Sequence, residues 1–295
     1  MGLVVAGVLT GVYLLVAYPP FSYGFIVLGI SCFLAGVGLQ DDRKPVPARW
    51  RLGIQVAMGA SLLFVLGGLP EMQRFVDAWF SRTLIYAFLL LVIVWWINLF
   101  NFMDGIDGLA GMQAIFMLLA GVMLLVLLRP EVVADPLIIW ILCVAGGTAG
   151  FMLLNWPPAK IFMGDVGSVY LAFMLLSFGL LSIRTVMVSV PMGLSMWAIL
   201  GATFATDATI TLITRILTSE KWHLAHSSHL YQRLSRKLGS HRPVTLIYLA
   251  VNLFWLLPLA YLCTRNPQWS VALAVVAYLP LIAVAIRYGA GRPDA

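Results

Sequence analysis

Hydrophobic and polar positions fall along this chain in long blocks rather than short periods. Apolar runs occupy 2–18, 22–39, 52–69, 83–100, 108–128, 136–154, 167–183, 187–213, 244–263 and 269–286. Runs of about 17–25 apolar residues cross a bilayer as helices. The pattern predicts an all-α, polytopic membrane helical bundle of about ten transmembrane helices, with both termini on one side. The fifth and eighth runs have length for helices that extend out of the bilayer. Residues 1–295 read as a single integral membrane domain with no soluble domain attached.

Composition strengthens that picture. The chain is 62% hydrophobic and 10% charged, a balance that excludes a soluble domain of this size. The basic residues set the expected orientation. With a cytoplasmic N-terminus, Arg43, Lys44, Arg49, Arg51, Lys160, Arg215, Lys221, Arg233, Arg236, Lys237, Arg242, Arg287 and Arg292 lie on the cytoplasmic side. Arg74, Arg82, Arg129, Arg184 and Arg265 lie opposite. The net charge of +6 is therefore mostly a topology signal, and no nucleic acid partner is needed to explain it. Cys32, Cys143 and Cys263 all fall in apolar runs, without metal-ligand spacing or a disulfide framework. The first run lacks a charged lead and a clear cleavage site, and reads as a retained helix.

The acids then point to a site. Asp41, Asp42, Asp104, Asp107, Asp165 and Asp207 all fall on the expected cytoplasmic side, at or near predicted helix ends. Ionisable groups at that depth are costly and commonly functional. Together they suggest one acidic, cytoplasm-facing pocket ringed by basic loops. Carboxylates crowded there need a cation or hydrogen-bond donors, and oxygen ligands favour Mg2+, with Mn2+ as a substitute.

Asn98, Asn101, Asp104 and Asp107 follow one another at intervals of three residues. Neighbours in that series share a helical face, while its two ends point apart on an unbroken helix. Gly105 and Gly108 predict a break that lets all four converge. Asp41 and Asp42 close the second run, where adjacent carboxylates oppose the helix dipole. A metal, a phosphate-bearing substrate with its metal, or the nearby arginines must offset them. Arg49 and Arg51 suit phosphate clamping or topological anchoring. Asp165, between Gly164 and Gly167, suits a metal ligand or a helix cap. Phe162 suits stacking on a base or packing. His226 and His229 share a helical face, but no third ligand completes a zinc set. Binding of phosphate or sugar is the better reading, beside that of a basic loop touching anionic lipid.

In order, Asp41-Asp42, Asn98-x-x-Asn101-x-x-Asp104-Gly-x-Asp107-Gly, Phe162-Met-Gly-Asp165-x-Gly-Ser168 and His226-x-x-His229 resemble the polyprenyl-phosphate N-acetylhexosamine-1-phosphate transferase superfamily, over nearly the whole chain. The resemblance implies a magnesium-dependent enzyme of the bacterial inner membrane. It moves a sugar-1-phosphate from a UDP-N-acetylated sugar to undecaprenyl phosphate and releases UMP. The His-Ser-Ser-His segment is more similar to the branch initiating O-antigen and other surface glycans than to phospho-N-acetylmuramoyl-pentapeptide transferase, which stays an alternative. Asn101 and Asp165 are the implied metal ligands, and Asp41 and Asp42 handle or deprotonate the polyprenyl phosphate. Arg51 and His229 offset diphosphate charge, while Asp104, Asp107 and Phe162 hold nucleotide or sugar, with Asn98 and His226 beside them. Membrane lipid is an expected partner, and a homodimer is compatible with the reading. Family members usually begin with a further helix and loop, so the chain is expected to lack that segment. A transporter or an inactive scaffold are the competing classes. The acids at one membrane edge and the absence of a visible repeat count against a transporter.

Overall fold

The computed structural model describes residues 2–18, 23–66, 79–186, 188–218 and 227–292, with the side chains of all of these except Tyr23 and residues 79–82. Among the described residues the secondary structure is helical, without strands. In chain order the α-helices are α1 (Gly2–Ala17), α2 (Tyr23–Arg43), α3 (Ala48–Val65), α4 (Trp79–Phe102), α5 (Leu109–Leu128), α6 (Pro136–Asn155) and α7 (Gly164–Thr185). There follow α8 (Val190–Leu200), α9 (Ala202–Leu217), α10 (Leu230–Leu238), α11 (His241–Val251), α12 (Leu257–Arg265) and α13 (Ser270–Arg287). A π turn, Asn252–Leu256, joins α11 to α12.

Helices occupy each expected apolar run over its described residues. Among the described residues, seven helical segments are long and apolar enough to cross a membrane, and eight if α8 and α9 count as one bent span. α1 is apolar but short. α3 is not among the seven, and its first turns carry Arg49, Arg51 and Gln55. The run 187–213 does not form one long helix. It bends by 75° between α8 and α9. Gly201 stands at the bend, where a Cβ would lie 2.8 Å from the Trp96 ring. The bend exposes backbone groups that no water can reach in hydrocarbon, so side chains must serve them. Gln113 Nε2 donates to the Leu200 carbonyl at 3.0 Å, and Gln113 Oε1 accepts from Asn252 at 2.6 Å and Thr203 at 3.2 Å.

α7 is the buried axis of the bundle, with 89% of its most apolar window inside. α2 packs along it and meets its N-terminus closely. A Cβ on Gly38 would lie 2.6 Å from the Asp165 carbonyl oxygen, so only glycine permits that approach. This crossing brings the acidic end of α2 onto the first turn of α7.

Candidate active site

α2 ends in Asp41, Asp42 and Arg43, and α7 begins with four N–H groups that lack helical partners. Asp42 joins the two. Its Oδ1 accepts from the Asp165 N–H at 2.8 Å and its Oδ2 from the Val166 N–H at 3.2 Å. Its charge also meets the positive end of the α7 dipole. Gly164 allows this in two ways, through a φ of +65° and because a Cβ would stand 2.7 Å from Asp42 Oδ2. The carboxylate is thus unfavourable for its own helix and favourable for the one it crosses.

Asp41 turns the other way. It accepts from the Val46 N–H at 2.6 Å and pairs with Arg51, which also reaches Asp165 Oδ2 at 3.2 Å. Arg51 therefore lies between two carboxylates. Gly38, Asp41, Arg51, Gln55 and Asp165 line a small cleft between α2, α3 and α7.

The Asn98–Asp107 series breaks after Phe102, where α4 ends, and Gly108 stands just before α5 with a φ of +77°. The break gathers only part of the series. Asn101 Oδ1 accepts from the Ser168 hydroxyl at 2.5 Å, which sets it against the first turn of α7. Asp104 lies near Asp165 and Asp42, and burial followed by those two charges pushes its carboxyl up to about 8. Asn98 instead donates to Gln55 Oε1 at 2.6 Å on α3 and to the Val94 carbonyl at 2.8 Å. Asp107 faces the α6–α7 loop, where its Oδ2 accepts from the Ala159 N–H at 3.0 Å. Asn155 reinforces that junction, accepting from the Gly108 N–H at 3.0 Å and donating to the Ile161 carbonyl at 2.8 Å. In the same loop Phe162 is 79% exposed, so its ring is free to stack.

Asp207 and His229 form a separate, buried cluster. Asp207 lies in the interior of α9 rather than at a helix end. It accepts from the N–H groups of Leu230 at 2.8 Å and Tyr231 at 3.0 Å, and from the Tyr248 hydroxyl at 2.7 Å. His229 Nδ1 stands 3.4 Å from Asp207 Oδ1, and its ring stacks on Tyr231. Asp207 is therefore absent from the acidic cleft and holds the start of α10 in place. Its partners lie up to 41 residues away, a separation that no local pattern reveals. His226 lies outside the described residues. Sequence reasoning missed Gln55 and Tyr231. Only Gln55 carried a signal, as an amide within an apolar run.

Among the described residues, no three His, Cys, Asp or Glu side chains form a metal cage. The donors still fit magnesium, which keeps several waters and commonly takes one or two carboxylates plus substrate phosphates. Asp165 offers a carboxylate on the first turn of α7, and Asn101 offers an amide oxygen held beside it by Ser168.

The Glycosyl transferase family 4 model matches residues 24–185, which include the acidic cleft and the Asn98–Asp107 series. The chain is 30% identical over 266 residues to a probable undecaprenyl-phosphate N-acetylglucosaminyl 1-phosphate transferase of Bacillus subtilis, covering 85% of this chain and 68% of that protein. It is 30% identical over 279 residues to a decaprenyl-phosphate N-acetylglucosaminephosphotransferase of Mycobacterium leprae, covering 84% and 68%. A phospho-N-acetylmuramoyl-pentapeptide-transferase of Nocardia farcinica is 30% identical over 224 residues, covering 64% and 60%. The chain thus spans roughly two thirds of the length of these relatives. With a family match across the cleft and a relative aligned over most of its length, this chain belongs to glycosyl transferase family 4.

Proposed function

We propose that the protein transfers N-acetylglucosamine 1-phosphate, or the phosphate of a related N-acetylated sugar, from a UDP-sugar to undecaprenyl phosphate, releasing UMP. In this reading the cleft faces the cytoplasm of a bacterial inner membrane, and the product initiates a surface glycan. The observation that carries the proposal is the meeting of three sequence motifs on the first turn of α7, by way of Asp42, Arg51 and Asn101.

A phosphate oxygen attacks the sugar-bearing phosphorus of the diphosphate, and the bond to UMP breaks. Both reactants are anionic, so charge compensation and alignment are the main tasks. Asn101 and Asp165 would hold magnesium, which when bound supplies positive charge to the diphosphate. Arg51 stands ready to exchange a carboxylate for a phosphate oxygen, as its guanidinium already bridges two acids. A phosphate monoester with a second pKa of about 6 is largely ionised at neutral pH. It therefore needs little base strength from Asp41 and Asp42. Both carboxylates are already engaged by N–H or guanidinium donors, which suits positioning better than proton removal. Phe162 and Asp107 hold the nucleoside.

Alignment over 85% of the chain with the Bacillus relative, against 64% with the Nocardia protein, favours N-acetylglucosamine over the muramoyl-pentapeptide donor. The test is UMP release by purified protein in detergent with undecaprenyl phosphate and magnesium. UDP-N-acetylglucosamine should support turnover, and UDP-muramoyl-pentapeptide should not. Asp165→Ala should abolish the magnesium-dependent release. Turnover on the pentapeptide donor alone would transfer the protein to the other branch. Wild-type activity in Asp165→Ala would remove the metal-ligand role.

A further inference from the structure

Asp107 is held from three directions. The Ala159 N–H donates to its Oδ2 at 3.0 Å, and the Thr245 hydroxyl donates to its carbonyl at 3.1 Å. The third hold is His241, the first residue of α11, whose Nδ1 lies 3.2 Å from Asp107 Oδ2 and 3.3 Å from the Asp107 backbone N. The family match ends at residue 185, so His241 lies outside it.

The double contact is chemically versatile. A ring nitrogen that carries a proton donates to the carboxylate, and one that lacks it accepts the N–H. Either state fixes Asp107. Both interactions leave Asp107 Oδ1 without a hydrogen-bond partner among the described residues. The Ala159 bond also links Asp107 to the loop that displays the exposed Phe162 ring. A carboxylate acceptor and an aromatic face in linked loops are the two elements that recognise a base bearing an N–H edge.

Resting on the proposed transferase reading, we propose that His241 is a positioning residue for the nucleoside of the UDP-sugar. It orients the Asp107 carboxylate so that the remaining oxygen accepts a hydrogen bond from the nucleotide. It takes no part in the chemical step and does not touch the polyprenyl phosphate.

The test measures UMP binding by calorimetry together with steady-state kinetics on the full chain in detergent. The His241 side chain is 40% exposed, so its replacement leaves the packing of α11 intact. His241→Ala should weaken UMP binding and raise the KM for the UDP-sugar by about tenfold, the scale of one hydrogen bond to a charged group. The kcat and the KM for undecaprenyl phosphate should stay at wild-type values. His241→Asn, which retains a short polar group beside Asp107, should recover most of the affinity. Unchanged UMP affinity in His241→Ala, or a loss confined to kcat or to the lipid substrate, overturns the inference alone. A wild-type chain that binds no UMP overturns the proposed function and this inference with it.

Discussion

Gly105 has no room for a side chain. A Cβ there would stand 2.0 Å from the Tyr231 hydroxyl oxygen, which donates to the Phe102 carbonyl at 2.9 Å. That bond serves a carbonyl at the end of α4, and it fixes the loop carrying Asp104 against α10. The Tyr231 ring is fully buried, so it cannot swing aside. Gly105→Ala should lower stability by about 1–3 kcal/mol, the usual cost of overpacking a filled site. Tyr231→Phe removes the colliding oxygen and should recover part of that loss when added to Gly105→Ala. Thermal unfolding in detergent checks both changes, and an unaltered midpoint in Gly105→Ala contradicts the crowding. The sequence shows Gly105 only as a helix breaker. Its closer constraint comes from a tyrosine more than a hundred residues away.

At the scale of elements, hydropathy located the helices well, because an apolar run reports its own surroundings. It could not locate the α8–α9 bend, since apolar residues continue through Gly201 and the break depends on Trp96 and Gln113 from other helices. The candidate site divides in the same way. Asp41, Asp42, Asn101 and Asp165 are legible as costly polar groups at helix ends. The cap that Asp42 places on α7 is not legible, because it links residues 123 apart. Asp207 is the instructive case, since its charge resembles the site acids while its contacts are structural. It satisfies two N–H groups at the start of α10 and the hydroxyl of Tyr248 on α11. Asp207→Ala should leave these buried donors unpaired, at about 1–3 kcal/mol for each. Stability should fall by about 3 kcal/mol or more, and protease cleavage around Ser227–Leu230 should accelerate. A loss of turnover with neither effect would instead assign Asp207 to the chemistry.

For the whole molecule, orientation decides whether the reaction is available, because UDP-sugars occur in the cytoplasm. α5 leaves the site at Gly108 and runs 20 residues to Leu128, about 30 Å at helical rise. Glu131 therefore marks the membrane face opposite the carboxylates, whereas Ser240 adjoins His241 and Asp107 on the site face. The basic residues divide along the same axis. Arg233, Arg236, Lys237 and Arg242 lie within three turns of Ser240, while Arg129 is the sole basic residue between 109 and 159. Positive charge is retained in the cytoplasm during insertion. Once Cys32, Cys143 and Cys263 are replaced by serine, a cysteine at Glu131 should react with a membrane-impermeant maleimide in intact cells. A cysteine at Ser240 should react only after the membrane is opened, as both positions are exposed. The reverse pattern would place the acidic cleft where UDP-sugars are absent, and sugar-phosphate transfer from a cytoplasmic donor would then be ruled out.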